Sequence, residues 1–212
     1  MTPDSTSQAV GRQPSIGIIG AGNIGRAIAG AFARNGIAAT LSNSRGPDSL
    51  ADTIAAIGPT ITAGSREDAA AKDIVFVAVN WSKLPVALAG LPDFGGRIVV
   101  DANNPIEAPL FKPADLNGRT SSEIVAGMVT GARVIKAFNH LLPPLLVADP
   151  RREGGRRVLF YSGDDAGAKA EFGALIDRLG FFGIDLGALE IGARLVQFPG
   201  GPLPALNLVK FD

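Results

Sequence analysis

The stretch Ile18-Ile19-Gly20-Ala21-Gly22-Asn23-Ile24-Gly25 spaces three glycines as G-x-G-x-x-G. Each glycine has a separate physical task. Gly20 permits a tight turn, Gly22 lets a ligand reach the backbone, and Gly25 lets a helix pack closely on a strand. Free N–H groups and the helix dipole then form an anion site suited to a diphosphate. The pattern alone is weak, since a glycine-rich turn without a ligand also satisfies it. Here the residues before it read as a strand and those after it as a helix, the context a dinucleotide site requires.

The next loop selects the dinucleotide. NAD readers carry Asp or Glu about 20 residues beyond the glycines, to hold the ribose 2′-hydroxyl. Here the segment is Ser42-Asn43-Ser44-Arg45-Gly46, with no carboxylate before Asp48. Arg45 can pair with a 2′-phosphate, and Ser44 and Asn43 can donate hydrogen bonds to it. NADP(H) is therefore favoured over NAD, although a solvated loop arginine is the plainer alternative.

Three further segments sit where strands are predicted to end, the place where open α/β sheets bind ligands. They are Asn80-Trp81, Ala102-Asn103-Asn104-Pro105 and Phe138-Asn139-His140. Their amides and backbone suit a nicotinamide and its ribose, and Trp81 suits a pocket wall; turn formation and core packing are the alternatives. His140 is the one histidine and a candidate general acid, although a lone histidine beside a turn is more often structural. Arg151, Arg152, Arg156 and Arg157 are expected in a solvated loop, with an anionic second substrate as the alternative. Tyr161 reads as a packing residue.

A Ser–Tyr–x–x–x–Lys centre is absent, because Tyr161 is the only tyrosine and the next lysine is Lys169. Reduction of a ketone normally needs a proton donor. Hydride transfer between a nicotinamide and a flat, flavin-like ring chiefly needs face-to-face placement. A site of backbone, amides and aromatics suits the second chemistry.

Alternating strands and helices must position these residues. Strands are expected at 15–19, 37–41, around 61, and at 73–79, 97–101, 133–138, 157–162 and 181–186. Helices are expected at 23–35, from Pro47 to Ile57 with Gly58-Pro59 as its stop, and at 65–71, 85–90, 121–129, 166–179 and 190–197, with Ser65 and Ser121 as caps. Pro143-Pro144, Pro150 and the arginine pairs are expected to interrupt regular structure. The fold class is α/β, a Rossmann-like, doubly wound, mostly parallel sheet with a small C-terminal α/β extension. The expected organisation is a flexible tail over 1–14, an NADP(H)-binding domain over 15–140, and a smaller portion over 141–212 that extends the sheet or covers the acceptor site.

Composition narrows the class further. The 212 residues suffice for one full domain, 46% are hydrophobic, and 20 basic residues balance 20 acidic ones. No net field then favours nucleic acid or an anionic membrane. Without cysteine there are no thiolate metal sites or disulfides, and one histidine excludes a histidine-rich metal centre. With no apolar run of about 20 residues and no secretory signal, a cytoplasmic protein is the expectation.

The chain resembles the NADPH-dependent coenzyme F420 reductase family and, more distantly, the NADPH-binding domain of STEAP-type metalloreductases. The resemblance runs from Ile16 to Phe211 through IGIIGAGNIG, SNSRGP (Ser42 to Pro47), VAVNW (Val77 to Trp81), VVDANNPI (Val99 to Ile106), SSEIVA (Ser121 to Ala126), VIKAFN (Val134 to Asn139) and YSGDD (Tyr161 to Asp165). The glycine turn is common to many families; SNSRGP, VAVNW and KAFN in this order are far more specific.

The resemblance implies a frequently dimeric protein that carries hydride between NADP(H) and a flat acceptor such as coenzyme F420 or a flavin. It also implies that Asn23 and Ile24 join the glycines at the pyrophosphate, and that Ser44 and Arg45 hold the 2′-phosphate. Val79, Asn80, Trp81, Asn103 and Asn139 would lie along the cofactor toward the nicotinamide. Deazaflavin-using members tend to have proline before the tryptophan, where this chain has Asn80. Two other functions fit the residues: a non-catalytic NADP(H) sensor, and an imine or keto-acid reductase of the β-hydroxyacid dehydrogenase type. The latter usually needs a large helical domain after the Rossmann part.

Overall fold

The structure is a computed structural model and describes residues 13–107 and 111–211. The expected flexible tail lies outside them except for its last residues, 13–14. The first strand, β1 (Ile16–Ile19), is apolar throughout and buried on both faces, as parallel strands covered by helices are. Helix α1 (Asn23–Arg34) follows and buries Ala27, Ile28, Ala31 and Phe32 along one stripe. Gly36, in the left-handed region at φ +65°, ends it.

The alternation continues with β2 (Ala39–Ser42), α2 (Ala51–Ile57), β3 (Ile61–Ala63), α3 (Arg66–Ala70), β4 (Ile74–Val77), α4 (Leu84–Leu88) and β5 (Ile98–Asp101). A short hairpin of β6 (Ile106–Glu107) and β7 (Lys112–Pro113) precedes α5 (Ser121–Ala126) and β8 (Arg133–Ala137). Beyond lie α6 (Pro143–Val147), β9 (Arg151–Arg152), β10 (Gly155–Gly163), α7 (Ala166–Arg178), β11 (Phe182–Asp185), α8 (Leu189–Val196) and β12 (Val209–Phe211).

The sheet runs β11-β10-β8-β5-β4-β1-β2-β3, with β9 and β12 pairing with β10. From β3 through β8 every pairing is parallel. β10 returns antiparallel beside β8, and β11 runs parallel to β10 at the edge. The protein is thus a mostly parallel, Rossmann-like α/β fold in which residues after 140 extend the same sheet. At that edge, Phe182 lies beneath the Arg156 guanidinium and the Lys210 ammonium, at 5.3 and 5.7 Å from its ring centroid.

One face of the sheet packs a chain of rings. Phe32 meets Phe76, Phe76 meets Phe138, and Phe138 meets Phe181 edge-on at 5.3, 5.5 and 6.4 Å. Each such pair contributes about 0.5–1.5 kcal/mol beyond its area. The other face buries Val75, Val77, Val99, Val125 and Leu189.

Four local expectations are corrected. Pro143 and Pro144 do not interrupt structure; they open α6, because proline suits the first helical turn, where its missing N–H has no acceptor in any case. The arginine-rich stretch folds back as β9 on β10 around Glu153-Gly154, so it is no irregular loop. Arg157 is buried, its Nε donating to Asn207 Oδ1 at 2.8 Å and its Nη1 to the Leu145 carbonyl at 3.0 Å. The cap of α5 is Thr120 rather than Ser121: Thr120 Oγ1 accepts from the Glu123 N–H, and the Glu123 carboxylate accepts from the Thr120 N–H. β6, β7 and β12 are additional to the expected elements; strands of two or three residues carry no readable alternation.

Candidate functional site

The turn after β1 is held by its first and last glycines and open at the middle one. Gly20 has φ +111° and donates its N–H to the Ser42 carbonyl at 3.0 Å. A Cβ on Gly20 would strike the Ala78 carbonyl, and one on Gly25 would strike the Gly20 carbonyl. A Cβ on Gly22 would meet nothing within 4 Å. The backbone is thus bare toward open space at the middle glycine. Gly22 caps α1, and the N–H groups of the first turn, including Asn23 and Ile24, have no intrahelical acceptor. No acidic side chain stands in that turn, and Arg26 donates Nε to the Ala21 carbonyl at 2.8 Å. The mouth of the helix is electropositive and suits an anion.

Beside it, the loop after β2 is braced by Asn43. Its Oδ1 accepts from the Arg45 N–H, and its Nδ2 donates to Ser49 Oγ, both at 2.9 Å. Asn43 therefore spends its side chain on the loop, while Ser44 and Arg45 are exposed. Among the described residues the Arg45 guanidinium has no hydrogen-bond or ion-pair partner.

Where β4, β5 and β8 end, the opposite holds: polar groups are buried and bonded to one another. Asp101 and Lys136 are register partners across β5 and β8, and both are fully buried. Asp101 Oδ2 accepts from Lys136 Nζ at 3.1 Å and from Ser122 Oγ at 2.7 Å. Its Oδ1 accepts from the Asn103 N–H at 3.0 Å and from Asn103 Nδ2 at 2.8 Å. Lys136 also donates to the Asn103 carbonyl and to Ser121 Oγ. Burial lowers the Lys136 pKa, with Asp101 opposing the shift. Asn103 Oδ1 in turn accepts from the Val79 N–H at 2.8 Å. Val79 starts the segment that carries exposed Asn80 and half-buried Trp81, whose 3-10 turn (Trp81–Lys83) is tied to β6 by Ser82 N–H donating to Glu107.

At the end of β8, Phe138 takes φ +65°, a left-handed conformation that costs a bulky residue energy and persists because packing enforces it. This turn presents Asn139. Asn139 Nδ2 donates to Asn104 Oδ1 at 2.9 Å and to the Val196 carbonyl at 2.7 Å. Asn104 Nδ2 donates to the Asn139 carbonyl, and Asn104 Oδ1 accepts from the Phe198 N–H. These bonds fix both amides, and Asn139 Oδ1 is left buried without a partner among the described residues. His140 is buried, its Nε2 accepting from the Phe160 N–H at 3.4 Å, and burial pushes its pKa down to about 4. It is a neutral core group at ordinary pH.

The structure therefore brings Gly20–Gly25, Val79–Trp81, Asn103 and Asn139 to neighbouring strand ends on one side of the sheet, with Asn43–Arg45 at the end of β2. The sequence offers Ser121 only as a helix cap and gives no site role to Asp101, Lys136 or Ser122, nor a pairing role to Asn104. For Asp101 and Lys136 the signal was a charged residue at or next to the end of a strand, in IVVD and RVIKA. Among the described residues, no cluster of three or more metal-ligating side chains exists, and no helix is long and apolar enough to cross a membrane.

Residues 15–105 match the family model described as NADP oxidoreductase, coenzyme F420-dependent. The hypothetical protein SMa0349 from Sinorhizobium meliloti is 45% identical, with a TM-score of 0.88 over 93% of this chain and 96% of its own. A candidate F420-dependent NADP-reductase from Arthrobacter sp. FB24 is 30% identical, with a TM-score of 0.70 over 84% of this chain and 86% of its own. A reductive aminase from Aspergillus terreus, solved with NADPH, shares the fold at 18% identity, with a TM-score of 0.62 over 86% of this chain and 58% of its own. No curated protein matches the chain.

Proposed function

The chain belongs to the family of coenzyme F420-dependent NADP oxidoreductases, and from that premise we propose that it transfers hydride between NADP(H) and a flat, flavin-like acceptor. The observation that carries the reading is the glycine turn, packed shut at Gly20 and Gly25 and open at Gly22. The pyrophosphate would sit on the free N–H groups of Gly22 to Ile24, and the 2′-phosphate would meet Arg45 and Ser44. The nicotinamide would lie along Val79–Trp81, Asn103 and Asn139. Bound NADPH supplies the hydride from C4 of its nicotinamide.

The chain's own part is binding, orientation and exclusion of water. Asp101, Lys136 and His140, at these strand ends, are all buried, and none of the three presents an exposed proton to the crevice. That suits an acceptor ring which needs placement more than protonation. Coenzyme F420 and flavins are the acceptor classes proposed, and a cytoplasmic location and a homodimer accompany the reading. The reductive aminases share the fold alone, and the chain spans about 58% of the length of the one compared above.

The test is an acceptor panel. The purified protein should oxidise NADPH with F420, FMN, FAD or a ferric chelate, and of the two epimers of C4-deuterated NADPH only one should lose its label when an organic acceptor is reduced. Tight NADPH binding with no oxidation by any of them would instead identify a sensor.

A further inference from the structure

Asp101 and Lys136, buried at the ends of β5 and β8, make none of the cofactor contacts proposed above, yet their bonding is saturated. A carboxylate offers about four acceptor positions and an ammonium three protons. In Asp101 the acceptors are filled by Asn103 N–H, Asn103 Nδ2, Ser122 Oγ and Lys136 Nζ. In Lys136 the protons go to Asp101, the Asn103 carbonyl and Ser121 Oγ. Because a carboxylate only accepts, Asn103 must turn its Nδ2 toward Asp101. Its Oδ1 then has one direction left, toward the Val79 N–H.

We propose that Asp101 and Lys136 are positioning residues: through Asn103 they hold the Val79–Trp81 turn in the attitude that sets a nicotinamide against its acceptor. This rests on the reading of the crevice as a NADP(H) seat. Stability is a poor account of the pair, since a buried ion pair can usually be replaced by well-packed apolar residues without loss. Val77, paired in register with Asp101, and Val99 and Val134, two residues before the pair on its own strands, offer apolar neighbours to such a replacement, whereas Ser121, Ser122 and Asn103 would each lose a partner. What apolar residues cannot supply is a single orientation for the Asn103 amide. Hydride transfer needs its reacting atoms about 3–3.5 Å apart, and a misplacement of about 1 Å costs about a hundredfold in rate.

Trp81 is the only tryptophan, so its fluorescence reports the turn directly, without any nucleotide. The experiment compares Asp101→Asn, the double variant Asp101→Leu/Lys136→Met, and Phe172→Leu, a core change on the opposite face, as a control for lost stability. In folded Asp101→Asn, Trp81 emission should shift to the red and acrylamide quenching should rise. NADPH affinity should change only a few-fold, while single-turnover oxidation of NADPH by F420 or FMN, whichever the wild type reduces, falls about a hundredfold. The double variant, which removes both charges, should keep the displaced emission and the slow transfer. Phe172→Leu should lower Tm and move neither readout.

A double variant with wild-type emission and wild-type transfer would overturn the proposal. Should Asp101→Asn fail to fold, Asn103→Ala cuts the link to Val79 and leaves the ion pair whole; an unmoved Trp81 emission there overturns it equally. Failure of the wild type to bind NADPH would sink the reading of the crevice, whereas unchanged emission in the variants sinks the positioning role whatever the wild type binds.

Discussion

At the end of β1 the main chain is bare, and Gly22 faces open space with no side chain of its own. Two strands away, at the end of β5, Asp101 is enclosed and each of its acceptor positions is filled from within the protein. The first region is shaped to receive something from outside. The second has finished its bonding and can only transmit geometry to what stands next to it. In the proposed reading, binding and placement are divided between strand ends two strands apart, and substitutions should separate them.

Gly25→Ala should have the largest effect. Its Cβ would enter the Gly20 carbonyl, and since both atoms belong to the turn the clash cannot be relieved by a flexible side chain. A loss of about 3 kcal/mol or more in urea denaturation is expected, at the upper end for overpacking; wild-type stability would show that the turn is looser than described. Gly22→Val should leave stability almost unchanged, because nothing lies within 4 Å of the new Cβ. It should nevertheless weaken NADPH binding at least about a hundredfold, about 2.7 kcal/mol. Unchanged affinity would remove the cofactor reading.

His140 sharpens the contrast on the enclosed side. Its pKa is lowered from 6.5 to about 4 in the folded protein, so the unfolded state binds the proton more readily. Stability should therefore fall as pH drops from about 6.5 toward 4, by about 3 kcal/mol from this group, and be unaffected above that window. Urea denaturation against pH should show the slope in the wild type and its loss in His140→Gln. An unchanged slope in the variant would mean that His140 is not held neutral.

Arg45→Ala belongs to the open side and should be the mildest. About 1–3 kcal/mol of NADPH affinity should vanish with NADH affinity unaltered, since only the former carries the 2′-phosphate. Equal losses for both would exclude a phosphate contact.

The open region was legible in the sequence because its message is written in consecutive residues. Three glycines and an adjacent arginine without a carboxylate are local facts, and so are the strand and helix that flank them. The enclosed region was not legible. Asp101 and Lys136 stand 35 positions apart and meet only because β5 and β8 pair in one register. Nothing local to IVVD or VIKA says which charge answers it. Pro143-Pro144 was misread for a related reason: a pair of prolines breaks a helix from within but starts one well, and only context decides which. Arg157 looked like its three arginine neighbours, but the strand it belongs to turns it inward toward Asn207 while Arg156 faces outward to Asp177. The mostly parallel order from β3 to β8 followed from the alternation of elements; the antiparallel return of β10 did not, because periodicity carries no direction.

That return leaves β11 as the last strand on its side, with a row of backbone groups that a strand from another molecule could join. Phe182, the apolar side chain best placed to welcome such a visitor, is roofed by Arg156 and Lys210. An incoming strand must first strip water from two cations, a toll that discourages growth of the sheet from copy to copy. Replacing both with neutral residues would convert a finished border into a template for aggregation.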